Sequence, residues 1–283
     1  MLLKTSYYVR LPEITLLNHA RCDRKHMAID KNGLIPLPAF SSFQPVFSPL
    51  IADTVQRLVS EMPALIHSIY MYDSLAEGRA TDTVPDLDLT VIFRCEPDDR
   101  AIVKLTAIRS GLEQHYPVVS KIDIDQCVLD TVLLPANSEQ WGYWLKYHCI
   151  CIYGEDLRDH FEPFRPSRNI AIAVNGDFLT VLNGYISRMN PSLAPIQRHA
   201  LQRAAACKAI QATNILRDEN DPDWPATLEE HREKFNVRYP ALAEEMDYLL
   251  SISHHPRGDI MTFAGRVSTF SYWLNAEFNS RNR

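Results

Sequence analysis

The stretch that decides the fold reads Asp73-Ser74-Leu75-Ala76-Glu77-Gly78-Arg79 and then, after a polar turn, Asp86-Leu87-Asp88-Leu89. Apolar runs lie on both sides of this stretch, which predicts two strands joined by a turn. Because residues i and i+2 of a strand point to one face, we expect Asp86 and Asp88 to lie side by side. Two carboxylates that close repel each other unless a cation lies between them. Mg²⁺ is usually held by such carboxylates together with substrate phosphates, so the segment predicts a metal-assisted phosphate site.

A later strand-like run, residues 118–129, carries two further acids. Asp123 and Asp125 lie on the face opposite Ile122 and Ile124 if this run is extended. Three carboxylates on neighbouring strands would surround two metal ions and stabilise both the attacking and the leaving oxygen of a phosphoryl displacement. Either acid could supply the third carboxylate.

Composition and charge exclude several classes of protein. The chain has 283 residues and a formal net charge of −6, so no global basic field favours non-specific nucleic-acid binding. Its six cysteines lack the spacing of a zinc ribbon or a redox motif. The N-terminus does not resemble a signal peptide, and no apolar run approaches the roughly 20 residues that span a membrane. We therefore expect a cytoplasmic protein with no membrane partner.

The chain changes character near residue 165. Residues 1–47 are expected to form an irregular N-terminal arm that packs on the core, and residues 48–165 alternate helical and strand-like patterns. Arg165-Pro166-Ser167 is predicted to be a linker, and residues 168–283 are expected to form a helical domain. Helical periodicity within that domain covers residues 176–189, 196–217, 227–235, 241–252 and 259–278. The predicted fold class is an α/β domain, a small mixed sheet flanked by helices, followed by an all-α domain.

Four segments in this order resemble a known superfamily. Ser74 precedes Asp86 by twelve positions, and the segment Leu75-Ala76-Glu77-Gly78-Arg79 follows that serine. Lys121-Ile122-Asp123-Ile124 and Ile152-Tyr153-Gly154-Glu155-Asp156-Leu157 come later in the chain. Together they resemble the nucleotidyltransferases that include DNA polymerase beta and the bacterial aminoglycoside adenylyltransferases. The resemblance covers about residues 50–165 well and the remainder only in outline.

The resemblance implies roles for the acids and the serine. Asp86, Asp88 and Asp123 would be the catalytic carboxylates and the Mg²⁺ ligands, and Asp123 would also orient or deprotonate the incoming hydroxyl. Asp125 is the alternative third acid; Asp123 is preferred because apolar residues flank it on both sides. Ser74 would donate its hydroxyl to a terminal phosphate of ATP or another NTP.

Two cations are candidate nucleotide-binding residues. Arg79 is one, and it is also a possible partner for the carboxylate of Asp73. Lys208 is the other: Ala204, Ala205 and Ala212 surround it on a predicted helix, which lets a ligand approach closely. Several members of the superfamily have a lysine on such a helix that reaches the nucleotide phosphates. The alternative is a solvated surface lysine.

Asp73 stands where the superfamily has glycine. Glycine permits an unusual backbone angle and close approach of the main chain to phosphate. Aspartate tolerates left-handed conformations better than most residues, but a carboxylate beside a triphosphate is electrostatically unfavourable unless it is turned away or paired.

The implied activity is an Mg²⁺-dependent transfer of a nucleoside monophosphate, AMP from ATP, to an acceptor hydroxyl with release of pyrophosphate. A small-molecule acceptor is expected, and RNA or protein is the alternative. Acidic side chains that could line a site for a cationic acceptor are Glu229, Glu230, Glu244, Glu245 and Asp247. The rival hypothesis is a catalytically weakened protein that binds nucleotide or a partner.

Three other motifs have simpler explanations. The aromatic residues Trp141, Tyr143, Trp144 and Tyr147 have helical spacing and are expected to be core. His254-His255 is expected to end a helix. The acidic segment 218–223 lacks the glycine and the final glutamate of a calcium loop and is expected to be a solvated loop.

Overall fold

The computed structural model describes residues 29–38, 43–78 and 85–281. Arg79 and most of the predicted N-terminal arm lie outside the described residues. The described chain divides into two compact units, one within Leu37–Glu162 and one formed by Pro163–Arg283 with residues 29–36. The break after Glu162 lies close to the predicted linker, and Ile35 joins the second unit through a 2.9 Å bond from its N–H to the carbonyl oxygen of Phe164.

A four-stranded mixed sheet forms the centre of the first unit. Its strands are β1 (Ile66–Tyr72), β2 (Leu87–Phe93), β3 (Ile122–Val128) and β4 (Cys149–Gly154), in the spatial order β3-β2-β1-β4. β1 pairs antiparallel with β2 and β4, whereas β2 and β3 are parallel. β1, β2 and β3 lie in predicted strand-like runs, and the predicted small mixed sheet is confirmed.

Helices connect and flank these strands. They are α1 (Ser48–Glu61), α2 (Asp73–Ala76), α3 (Asp99–His115), α4 (Leu129–Leu133) and α5 (Tyr143–His148), with a π-helical turn at Ser138–Gly142 before α5. α3 begins at Asp99 because the carboxylate of Asp98 caps it, accepting a 2.8 Å hydrogen bond from the N–H of Ala101. This helix is the crossover that parallel pairing of β2 with β3 requires.

The two faces of the sheet differ in chemistry because side chains alternate along each strand. One face is apolar and packs into the core of the unit with Ile69, Met71, Leu87, Leu89, Val91 and Ile122. The opposite face carries the acids of β2 and β3. The alternation therefore fixes which face of the sheet holds the candidate site.

The end of β4 and the segment after it contact β1 closely. Gly154 has a positive φ of 83°, and a Cβ at this position would lie 2.1 Å from the carbonyl oxygen of His67. Only glycine fits this conformation and this close approach. The N–H of Leu157 then donates a 2.6 Å hydrogen bond to the hydroxyl oxygen of Tyr70.

The second unit is helical, as expected. Its helices are α6 (Arg168–Asn175), α7 (Phe178–Arg188), α8 (Pro195–Ala212), α9 (Leu228–Arg238), α10 (Ala243–His254) and α11 (Ile260–Ser280). α6 was not predicted: Ser167, assigned to the linker, caps it by accepting a 3.1 Å hydrogen bond from the N–H of Ile170.

One helical stretch, Arg168–Arg188, is long and apolar enough to cross a membrane by length and composition alone. Its apolar residues Phe178, Val181, Leu182 and Tyr185 belong to the buried core of the second unit. That burial is typical of a core helix.

Candidate active site

The acids meet across the two parallel strands. Asp88 on β2 is the register partner of Asp123 on β3, and on its other side it pairs with Tyr72, the last residue of β1. Asp86 immediately precedes β2 and lies two residues before Asp88. Paired residues of adjacent strands point to the same face, so the sheet brings the three predicted carboxylates to one edge of its polar face.

Electrostatics shows how close these carboxylates are. Burial of Asp88 and the negative charges of Asp73, Asp86 and Asp123 together hold the pKa of this carboxyl well above its usual range. The positive charge of Lys121 opposes the shift but does not cancel it. The site therefore concentrates negative charge around Asp88.

Asp73 adopts a backbone conformation that glycine usually supplies. Its φ is 63°, and it is the only non-glycine residue with positive φ in the part of the chain that the structure describes. Its carbonyl oxygen accepts a 3.0 Å hydrogen bond from the N–H of Glu77, which closes the single turn of α2. Ser74 is the second residue of this turn and is half-buried. The turn is thus built with aspartate in the left-handed region.

Sequence reasoning did not assign a role to Lys121. Its Nζ lies 2.5 Å from Oδ2 of Asp123 and 3.4 Å from Oδ2 of Asp86, so the ammonium group bridges the two carboxylates. Burial would lower the pKa of Lys121, but the hydrogen bond to Asp123 and the charges of Asp86 and Asp88 raise it instead. The signal available in the sequence was the i, i+2 spacing of Lys121 and Asp123, which places both on one face.

The hydroxyl of Ser120 also engages the site, since its Oγ donates a short hydrogen bond to Oδ1 of Asp86. Asp86 therefore has a neutral donor on one oxygen and a cation near the other.

Asp125 has a different environment from Asp123. It lies two residues beyond Asp123 on β3 and is the register partner of Thr90. Its Oδ2 accepts a 2.5 Å hydrogen bond from the phenol of Tyr72. The ring of Tyr72 packs edge-on against Trp144 at a centroid distance of 5.1 Å. The predicted aromatic cluster is core, as expected: its four members are buried (Trp141, Tyr143, Trp144 and Tyr147).

The carboxylates of Asp86, Asp88 and Asp123 match a metal ion in their chemistry but not in the placement of their side chains. Within residues 29–38, 43–78 and 85–281, no three histidine, cysteine or carboxylate side chains are placed so that they could together hold one. Asp86 and Asp123 instead face Lys121. Their oxygens and those of Asp88 are still the hard donors that Mg²⁺ takes, and they share one edge of one face. The oxygen donors and the backbone positions of these acids therefore suit Mg²⁺, whereas the side chains of Asp86 and Asp123 are turned towards Lys121.

Lys208 lies in the second unit and is buried, so it is not a solvated surface lysine. Its Nζ is 3.1 Å from Oδ1 of Asp177 and 3.4 Å from Oδ1 of Asn175. The small residues that flank it, Ala205 and Ala212, are buried with it in the core around α8. Its assignment as a phosphate ligand remains a prediction.

The acidic residues proposed to attract a cationic acceptor are mostly engaged within the second unit. Glu229 pairs with His254 at 2.9 Å, Glu245 with Arg266 at 2.6 Å and Asp247 with Arg232 at 2.6 Å. Glu230 accepts a 2.6 Å hydrogen bond from the N–H of Ala226. The charges of Glu245 and Asp247 are therefore balanced by arginines, whereas Glu229 and Glu230 are held by hydrogen bonds.

The acidic segment 218–223 is ion-paired as well. Lys234 lies 2.7 Å from Asp221, and Arg238 lies 2.5 Å from Asp218. His254, at the end of α10, pairs with Glu229, and the helix ends where expected.

Comparison with solved structures finds chains that are similar to this one. The chain is similar to the spectinomycin adenyltransferase AAD(9) from Enterococcus faecialis, solved with ATP and spectinomycin, at 12% identity and a TM-score of 0.47. The match covers 82% of this chain and 98% of the other. No protein-family model and no curated protein sequence matches the chain.

Proposed function

We propose that this protein is an Mg²⁺-dependent nucleotidyltransferase that moves AMP from ATP to an acceptor hydroxyl and releases pyrophosphate. The observation that carries the proposal is the pairing of Asp88 with Asp123 on adjacent parallel strands, with Asp86 two residues before Asp88. Three carboxylates at one edge of a sheet, preceded by a turn that contains a serine, are the arrangement that the sequence resemblance implies for phosphoryl transfer.

Each carboxylate has a role in this proposal. Asp86 and Asp88 would hold the metal together with the nucleotide phosphates, and Asp123 would complete the set and orient the acceptor hydroxyl. The bound ion would neutralise charge on the phosphates and the leaving pyrophosphate. Ser74, in the turn after β1, would donate its hydroxyl to a terminal phosphate.

Most of the catalytic effect in such a site comes from positioning and charge neutralisation. Asp86 and Asp88 precede and begin β2, and Asp123 lies on β3, so the sheet fixes the spacing of their Cα atoms. Side chains fixed on strands hold a reactive geometry better than side chains on loops.

We infer a small-molecule acceptor. The net charge of −6 disfavours an RNA acceptor without a local basic surface, and a cationic molecule such as an aminoglycoside is favoured by long-range attraction. The pairing of Glu245 and Asp247 with arginines weakens the argument from those residues, so the overall charge is its main support.

A second function, binding of nucleotide without transfer, is favoured by one observation. Asp73 adds its negative charge to the carboxylates around Asp88, beside the position proposed for a triphosphate. Like charges this close would weaken nucleotide binding and slow transfer.

Incubation with ATP labelled at the α-phosphate and Mg²⁺ tests the proposal. The acceptor panel contains aminoglycosides, total RNA and the protein itself. Transfer of label that needs Mg²⁺ and disappears in the double variant Asp86→Asn, Asp88→Asn supports the proposal, and the labelled acceptor identifies its class. Asp130→Asn is the matched control, because it removes an exposed carboxylate of the same unit on α4 and should keep full transfer.

Two results count against this function. Thermal stabilisation of the protein by ATP, with no transfer of label to any acceptor, favours the binding function. Unchanged nucleotide binding and transfer after replacement of Asp86 and Asp88 would show that the site is assigned wrongly.

A further inference from the structure

Lys121 occupies the space between two carboxylates of the candidate site. Its ammonium group contacts Oδ2 of Asp123 at 2.5 Å and lies 3.4 Å from Oδ2 of Asp86. Its charge also acts on Asp88. One lysine therefore contacts or influences all three carboxylates that are proposed as metal ligands.

The lysine takes the oxygens that a divalent cation would need. A carboxylate oxygen that contacts an ammonium group at hydrogen-bond distance must lose that contact before it can approach a metal ion closely. Within the described residues, the three carboxylates do not form a group placed to hold a metal ion together. The carboxylates are stabilised by an internal cation instead.

The ion pair between Lys121 and Asp123 stabilises the two side chains modestly and can separate. Side-chain exposure is 52% for Lys121 and 44% for Asp123, so water can solvate both groups when they separate. A half-exposed ion pair of this kind contributes modestly, and a lysine side chain reorients easily because it is long and flexible.

We propose that Lys121 is an internal counter-ion of the acid cluster: it competes with the divalent cation for Asp86 and Asp123 and thereby keeps metal binding weak in the nucleotide-free protein. The proposal rests on the proposed function, since it assumes that these carboxylates are metal ligands. Nucleotide phosphates offer the ammonium group another acceptor, so the competition ends when nucleotide arrives.

Titration with Mn²⁺ in the absence of nucleotide, followed by electron paramagnetic resonance and calorimetry, tests the competition. Lys121→Gln should bind Mn²⁺ more tightly than the unmodified protein by roughly 3- to 10-fold, the effect of losing one partly exposed ion pair at the metal ligands. Lys121→Arg keeps the charge and should retain the weak affinity of the unmodified protein.

Stability supplies a second readout that does not depend on activity. Without metal, Lys121→Gln should melt at a lower temperature than the unmodified protein, because three carboxylates lose their counter-ion, and Mn²⁺ should restore the melting temperature. The matched control is Lys104→Gln. Lys104 is 50% exposed and pairs with Glu61 at 3.2 Å, away from the acids, so its loss should not alter Mn²⁺ binding.

The outcomes separate this inference from the proposed function. If Lys121→Gln binds Mn²⁺ no more tightly, while the unmodified protein binds Mn²⁺ with a non-hydrolysable ATP analogue, the inference is wrong and the proposed function stands. If no variant binds Mn²⁺ with or without the analogue, both are wrong.

Discussion

The phenol of Tyr72 donates a 2.5 Å hydrogen bond to Oδ2 of Asp125. Asp125 lies two residues beyond Asp123, the acid on β3 that pairs with Asp88. Burial raises the pKa of Tyr72 well above its usual range, and the charges of Asp125 and Asp88 add to the shift. The phenol therefore stays protonated and remains a donor to this carboxylate. This bond distinguishes the two candidate third acids, since Asp125 is held by the buried phenol of Tyr72 and Asp123 by a half-exposed lysine.

Replacing Tyr72 by Phe removes the donor and leaves the carboxylate of Asp125 without it. We expect the free energy of unfolding to fall by about 1–3 kcal/mol, the usual range for a hydrogen bond to a partly buried charged group. Urea denaturation measures the change. Tyr272→Phe, on an exposed face of α11, should leave the stability unchanged. Equal stability of the Tyr72 variant and the unmodified protein would contradict the assignment of this bond.

The roles of Asp123 and Asp125 separate by mutation. Asp123→Asn should abolish transfer of label with little loss of stability, because its ion pair is half-exposed. Asp125→Asn should instead lower stability by about 1 kcal/mol, since a charge-assisted hydrogen bond becomes a neutral one, and should keep measurable transfer. Activity assays and urea denaturation of both variants give the comparison. Transfer that survives Asp123→Asn but not Asp125→Asn would make Asp125 the third acid.

Asp73 combines a backbone cost with a charge cost, and two variants distinguish them. Asp73→Gly should stabilise the protein by about 1 kcal/mol because glycine adopts the left-handed conformation freely. Asp73→Asn keeps a side chain and removes only the charge. Both should tighten binding of ATP in the presence of Mg²⁺, because a negative charge near Asp88 that would repel the phosphates is lost. Calorimetric binding that is unchanged in both variants would show that this carboxylate does not oppose the nucleotide.

Gly154 should tolerate no side chain. A Cβ would lie 2.1 Å from the carbonyl oxygen of His67, and φ is 83°, so Gly154→Ala should lower the free energy of unfolding by about 3 kcal/mol or more. Gly184→Ala is the matched control: it lies in α7 with no heavy atom within 4 Å of the added Cβ, and should stabilise the protein by roughly 0.5–1 kcal/mol. Thermal and urea denaturation measure both, and similar effects of the two substitutions would refute the close approach.

His231 should make the protein sensitive to acid. Burial, aided by the positive charges of Lys234 and Arg217, lowers the pKa of this imidazole from 6.5 to about 3. Because the folded pKa is depressed, the neutral ring contributes its full stability above pH 6.5. That contribution is lost as the pH falls from 6.5 towards about 3, since only the unfolded chain takes up the proton.

The measurement is urea denaturation of the unmodified protein and of His231→Gln between pH 7 and pH 4. Stability of the unmodified protein relative to the variant should decrease towards acid by about 1.4 kcal/mol per pH unit below the unfolded pKa. His255→Gln, at an exposed ring, should run parallel to the unmodified protein. Parallel curves for His231→Gln as well would mean that this imidazole is not held neutral.

Local patterns predict most of the fold and the set of acids. Period-two alternation places Asp86, Asp88 and Asp123 on the polar face of their strands, a proline lies in the first turn of α1, and the side chain of Asp98 caps α3. These features depend on neighbours in sequence, which is why they can be derived from it.

The remaining features depend on tertiary contacts. The bridge of Lys121 between Asp86 and Asp123 requires the parallel register of β2 and β3, which no local pattern specifies. The burial of Lys208 depends on Asp177, whose position is set by the turn between α6 and α7. The short helix α6 was not predicted, because Ser167 follows Pro166 and was assigned to the linker. The hydrogen bond by which Ser167 caps α6 forms only when the helix starts at Arg168.

The parallel pairing of β2 and β3 also determines when the site can exist. β1 and β2 are antiparallel neighbours that follow each other closely in sequence, so they can pair early, whereas β3 can pair with β2 only after α3 has formed and crossed the sheet. Asp88 and Asp123 are brought together only by this late, non-local step, against their mutual repulsion. Packing of α3 against the sheet therefore drives assembly of the acid cluster, and we expect the β1–β2 pair to be formed in the folding transition state while the site forms later.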